Sequence, residues 1–220
     1  MTLETTKTVR IQPIEFLWLG LYAFAGFSIE LLLGILINVV GLDPLSKNIH
    51  SFVTGVLWFA FSYLLIQYAR KKFDYDVFKI RTAFTLKKLL AVSVIVLIVT
   101  FAAFIGFSGF KPLVEFKNGA QGNIITYLLQ LFYYFGESAL IVSCIAFGQH
   151  FFEEQFHLNR QLPTGGLFLA MTWGVIHIFL QGLNGGIYTM FFSVLAGIIY
   201  VICEKDFGWS YVFIAIAFIL

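Results

Sequence analysis

The sequence predicts an all-α membrane protein, a helix bundle of about seven transmembrane helices forming a single integral membrane domain over residues 1–220. Three observations predict it. Of the 220 residues, 60% are hydrophobic and only 12% charged, with 27 Phe, far from the balance of a water-soluble domain. Apolar runs that could cross a ~30 Å hydrocarbon core, which takes about 20 residues of helix, recur along the whole chain. The polar stretches between them are short and leave no soluble domain of useful size.

The opening MTLETTKTVR is polar, and the apolar run behind it is too long for a signal peptide and lacks a small-residue cleavage site. That run is therefore read as a retained span. It covers 14–40, is overlong for one crossing, and predicts a tilted or partly interfacial helix. Further spans are expected at 51–69, 89–107, 124–149, 166–182, 186–203 and 207–220. Cys144 and Cys203 both lie inside apolar runs, which argues against a disulfide framework or a thiolate metal cluster.

The one substantial loop is RKKFDYDVFKIRTAFTLKK, residues 70–88. Lys and Arg collect on the cytoplasmic side of bilayers. With the N-terminus inside, eleven of them fall on inner segments, beginning with Lys7 and Arg10, and only Lys47, Lys111 and Lys117 fall outside. The sequence thus predicts an integral membrane protein with a cytoplasmic N-terminus. Phe73, Tyr75, Phe78 and Phe84 interleave with the basic residues of the loop and suggest a helix lying on anionic membrane lipids. No nucleic-acid partner is expected, because topology already accounts for the basic residues.

Charge is densest in HFFEEQFHLNR, residues 150–160. His150, Glu153, Glu154 and His157 are spaced i, i+3, i+4 and i+7, which a helix would align on one face. Zinc sites use His and carboxylates at helical spacing. Two His seven apart, however, lie roughly 10 Å apart along a helix axis, too far to share one ion unaided. The plainer reading is a water-facing helix end at the cytoplasmic rim, with Arg160 answering Glu153 or Glu154. No cofactor is expected, although a metal stays open.

Ionisable residues inside spans say more, since a charge there costs several kcal/mol and marks a functional candidate. Glu30, Glu137 in YYFGESALIV and His177 in WGVIHIFLQG are the three. Helix rise puts Glu137 about 10 Å from the cytoplasmic face and His177 about 16 Å deep. Consecutive spans pack as neighbours, so the two can face one cavity. A carboxylate beside an imidazole can hold and activate a water as general base. Gln181, one turn beyond His177, could bond to the same site. The alternative is a Glu–His pair that merely ties two helices together.

The order of these features resembles the CPBP family, the CAAX prenyl protease and bacteriocin-processing group of intramembrane endopeptidases. Trp173 to His177, in TWGVIHIFLQG, resembles the family's second motif of an aromatic closely preceding a histidine. FFSVLAGIIYVI and KDFGWSYVFIAIAFIL resemble its last two helices, so the CPBP-like half covers residues 124–220. The first motif, a glutamate pair followed by an arginine, falls on FGESALIV, where Glu137 stands alone and Ile141 and Val142 follow. Where the family places a late histidine and asparagine, this chain has Ala215, Ile216, Ala217 and Leu220.

Residue by residue, the resemblance implies Glu137 as water-activating base and His177 as its partner or oxyanion stabiliser. It implies a bacterial plasma membrane and a membrane-embedded peptide or protein substrate, with Trp173, Gln181 or Glu30 supporting the site. Two functions follow. One is an intramembrane endopeptidase. The other is a catalytically inactive relative, a membrane scaffold or binding protein in peptide export, immunity or regulation. A transporter is the weakest option, because the chain shows no inverted repeat or paired broken helices.

Overall fold

The computed structural model describes residues 12–41 and 46–220, and all of its regular structure is helical. Lys7 and Arg10, which entered the charge count, and the polar start lie outside the described residues. Helices α1 (Ile14–Gly26) and α2 (Ser28–Val40) make up the first apolar run. The run is interrupted at Phe27, where the Ser28 hydroxyl donates to the Ala25 carbonyl at 2.6 Å. Such back-bonding draws a carbonyl off the helical ladder and bends the helix. The overlong span predicted at 14–40 is thus two helices joined end to end.

Helix α3 spans Ser46–Phe73 and α4 spans Leu86–Gly106. A short α5 (Lys111–Val114) runs into a π-type turn, Glu115–Gly119. Then comes α6, Ile124–Phe156, started by the Asn123 side chain, which accepts from the Ile125 and Thr126 N–H groups. Asparagine is among the best N-caps because its oxygen satisfies donors the first turn leaves free. At 33 residues α6 is about 50 Å long. It is buried on every side from Gly136 to Gln149, the mark of a helix at the centre of a bundle. Helices α1, α3 and α9 (Phe207–Ile219) and the short α7 (Thr164–Leu169) all pack on it.

After α7, a π-type turn at Ala170–Gly174 leads into α8, Val175–Ile202. Thr164–Ile202 is a continuous apolar stretch of 39 residues, which would reach about 58 Å if straight. It is not straight. Gly182 sits at φ 78°, ψ 177°, a backbone state open essentially to glycine alone. The chain reverses there. A Cβ built on Gly186 would lie 2.8 Å from the Ile178 nitrogen, one on Gly174 3.1 Å from the Met190 Cα, and one on Gly166 2.7 Å from the Gly197 Cα. Those pairs run antiparallel about residue 182. The stretch is a tight helical hairpin, as the two separate spans 166–182 and 186–203 predict.

Five stretches among the described residues are long and apolar enough to cross a membrane: 14–40, 47–73, 86–106, 124–156 and 164–202. Together with their exposed apolar flanks, such as Leu31, Ile35 and Val39 on α2, they make this an integral membrane protein.

Side-chain contacts sort the ends of the helices into two poles. At the basic pole, the Thr82 N–H donates to Asp206 at 3.1 Å, Lys88 pairs with Glu204 at 3.0 Å and Lys205 pairs with Glu153 at 2.6 Å. At the opposite pole, Lys47 donates to the Gly119 carbonyl and Lys111 to that of Phe218. The basic loop forms no surface helix. Between Phe73 and Leu86 it is irregular; Phe73, Tyr75 and Phe84 turn inward, and Phe78 stays exposed. Tyr75 packs on Phe16 (4.8 Å between ring centres) and His150 (4.5 Å), while Phe84 stacks on Trp209 (4.6 Å) and Phe213 (4.9 Å). Those rings find more apolar surface on the bundle than an amphipathic helix would give them.

Candidate functional site

Glu137 stands near the midpoint of α6, 7% exposed. Gly136 beside it lets α3 come close, since a Cβ there would lie 2.7 Å from the Gly55 carbonyl oxygen. One turn earlier, the Tyr133 hydroxyl donates to Glu30 at 2.8 Å, which ties α2 to α6. The Glu30 carboxylate reaches both Glu137 and His177 electrostatically, and the Trp173 indole lies beside the Glu137 carboxyl. The structure therefore gathers Glu30, Glu137, Trp173 and His177 into one region of the bundle. Tyr133 completes it, a residue that the sequence reading passed over because a tyrosine in an aromatic-rich span carries no signal of its own.

An aromatic shell closes around these groups. Trp58 donates to the Gly26 carbonyl at 2.9 Å and packs 4.7 Å from the Tyr133 ring. Phe27, Phe192 and Phe218 lie 5.8, 6.0 and 5.9 Å from Trp173. Buried aromatics of this kind exclude water and raise the strength of any charge interaction inside.

His177 has a defined orientation. Its Nδ1 is 2.7 Å from the Trp173 carbonyl oxygen, an atom that can only accept. In the neutral ring Nδ1 thus carries the proton, and Nε2 is left as an acceptor. The ring is half-buried, 4.5 Å from that of Trp173, and no hydrogen bond or ion pair joins it to Glu137. The π-type turn at Ala170–Gly174 widens the helix where Trp173 sits, and such turns recur at functional sites. Gln181 does not join the site. It is exposed beside Gly185 at the tip of the hairpin, because the chain reverses one residue later.

The depth predicted for Glu137 also changes. Helix α6 continues to Phe156, so Glu137 lies 19 residues, about 28 Å, from its basic end. Its other charged neighbours, Lys111 and Glu115, belong to the connection at the opposite pole. Lys111, which the charge count puts on an outer loop, is 4% exposed. Its ammonium bonds to the Phe218 carbonyl and lies 4.7 Å from the Phe218 ring centre and 5.1 Å from that of Tyr134. Burial holds this amine below its ordinary value, with Glu115 and Glu137 pulling it back up. Glu115 accepts from Tyr134 at 2.7 Å and Gln130 at 3.3 Å. Burial lifts its carboxyl above the usual range, against Lys111 and the Tyr134 bond. The i, i+4 spacing of Lys111 and Glu115 was the available signal.

The rim HFFEEQFHLNR divides. Helix α6 ends at Phe156, and His157 takes a left-handed conformation with φ 51°. His157 thereby leaves the face that its i+7 spacing predicted. Glu153 is 8% exposed and faces inward, not into water. Its partner is Lys205, with Gln149 donating a further bond at 2.5 Å, because α6 is packed against the 203–206 turn. Arg160 answers Glu154 alone, at 3.9 Å. His150 is held edge-on to Phe16 at 4.1 Å. Among the described residues, no group of three or more His, Cys, Asp or Glu is placed to hold a metal ion.

No family model, no curated protein and no solved structure matches this chain.

Proposed function

We propose that the chain is an intramembrane endopeptidase of the CPBP type, acting on membrane-embedded peptides or proteins through a water activated by Glu137. The observation that carries this reading is the gathering of Glu30, Tyr133, Glu137 and His177 around one buried region of a membrane bundle. Isolated carboxyls are costly there and seldom accumulate without use. In the reaction, Glu137 takes a proton from water as the oxygen attacks the scissile carbonyl. The proton is later delivered to the leaving amine. His177, with Nε2 as acceptor, orients that water, and Tyr133 holds Glu30 in place as a second acceptor. The basic pole faces the cytoplasm by its excess of Lys and Arg, in a bacterial plasma membrane.

A non-catalytic scaffold is the competing reading, favoured by the lack of any bond between Glu137 and His177. One experiment separates them. Wild type, Glu137→Gln and His177→Ala are reconstituted in liposomes with a library of single-span peptides, and cleavage is read by mass spectrometry. The endopeptidase reading expects cleavage that falls at least about a hundredfold in Glu137→Gln. Equal cleavage in all three proteins refutes it, and a peptide captured uncut by all three supports the scaffold.

A further inference from the structure

At the basic pole, far from Glu137, the bundle encloses a half-open cavity of about 200 Å³ between the 70–88 loop, the end of α6 and the turn after α8. One wall is spent. Both oxygens of Glu153 are 2.6 Å from Lys205. Gln149 uses its nitrogen on Glu153 and the Leu162 carbonyl, and its oxygen on the Gly165 N–H. These groups have little left to offer a ligand.

Five groups on the remaining walls keep hydrogen-bonding capacity, the His150 ring, which bonds to no described group, among them. Tyr75 and Tyr200 both line the cavity, and neither hydroxyl bonds to a described protein group. Tyr200 is only 3% exposed, and yet it lines the cavity. Glu154 and Arg160 stand at the mouth, 3.9 Å apart, too long for a hydrogen bond. A lone anion would meet Glu153 and Glu154; a lone cation would meet Arg160 and Lys205. A ligand that carries both charges satisfies both ends. The volume equals about seven waters at ~30 Å³ each, which is too small for a peptide segment or an acyl chain. Helix ends flanked by Lys and Arg lie at the level of lipid headgroups.

We propose that this cavity binds a phosphoethanolamine group. Its phosphate pairs with Arg160, and its ammonium donates to Glu154 and to the tyrosine oxygens. A primary ammonium suits these walls because it has three N–H donors, whereas a trimethylated one has none. The site is independent of the chemistry at Glu137.

The test uses the full chain in phosphatidylcholine nanodiscs doped with phosphatidylethanolamine or phosphatidylglycerol, and reads the retained lipid by native mass spectrometry. Wild type is expected to retain the ethanolamine lipid selectively. Tyr200→Phe, Glu154→Gln and Arg160→Gln each lower that retention by about tenfold, the effect of one charge-assisted hydrogen bond. Soluble phosphoethanolamine added to phosphatidylcholine discs tells the sources apart: displacement of the lipid shows that the group alone is recognised, and no displacement shows that the diacyl lipid is the ligand. Equal retention of the three lipids, or wild-type retention in all three variants, overturns the proposal.

Discussion

Gly197→Ala tests the hairpin that carries Trp173 and His177. A Cβ at 197 would lie 2.5 Å from the Gly166 Cα and 2.6 Å from the Gly166 nitrogen. Both atoms are backbone, so neither can rotate away. Ordinary contact begins near 3.4 Å, and the two arms must therefore part by about 0.9 Å. Overpacking of this kind costs about 1–3 kcal/mol, and alanine's better helix propensity returns somewhat under 1 kcal/mol of it. At Gly106 a Cβ meets nothing within 4 Å, so Gly106→Ala carries the propensity change without the clash. Thermal unfolding in mild detergent, followed by tryptophan fluorescence, should put Gly197→Ala several degrees below Gly106→Ala, at roughly 2–4 °C per kcal/mol. Equal midpoints would refute the close backbone approach, and with it the reversal at Gly182.

The buried pair at the rim should be costly to break and cheap to replace. Lys205→Met leaves Glu153 buried without its cation and should cost about 3–5 kcal/mol, while adding Glu153→Gln recovers most of that loss in a double-mutant cycle. At the opposite pole, Glu115 has a folded-state value raised above 4.5 by burial. The folded protein therefore binds this proton more tightly than the unfolded chain, so the contribution is most favourable in acid and is lost as pH rises through the folded value. Glu115→Gln should remove that slope. The stability difference, variant minus wild type, grows from about pH 4.5 upward if this is right, and stays flat with pH if it is wrong.

The bundle itself was legible because hydrocarbon imposes a simple rule: a run of about 20 apolar residues is a helix. Even the hairpin was legible, since residues 183–185 divide the run into separate spans at 166–182 and 186–203. Charges were read less well. Position alone puts Glu153 on a water-facing helix end and Lys111 on an outer loop. Each is buried by a partner distant in sequence, Lys205 for one and Phe218 for the other, and no local pattern encodes such pairings. The basic loop misled for the same reason, because its aromatics could cover lipid or the bundle equally well in sequence. Glu30, Glu137 and His177 were singled out by cost, a one-residue property, and so survived as candidates. The bond from the Tyr133 hydroxyl to Glu30, by contrast, is a geometric fact of two helices.

The reversal at Gly182 also sets the parity of the chain. Counted by hydropathy, 164–202 is a single long run, and a single crossing would deliver residue 203 to the pole opposite residue 164. Because the run doubles back, it makes an even number of traverses and returns Cys203, Glu204 and Lys205 to the side they left. Helix α9 then sets out from the basic pole and ends beside Lys111. A reporter inserted in the 74–85 loop and one placed after Phe218 should therefore label opposite faces of the membrane, and every sidedness inferred from the number of apolar runs alone would be inverted from there onward.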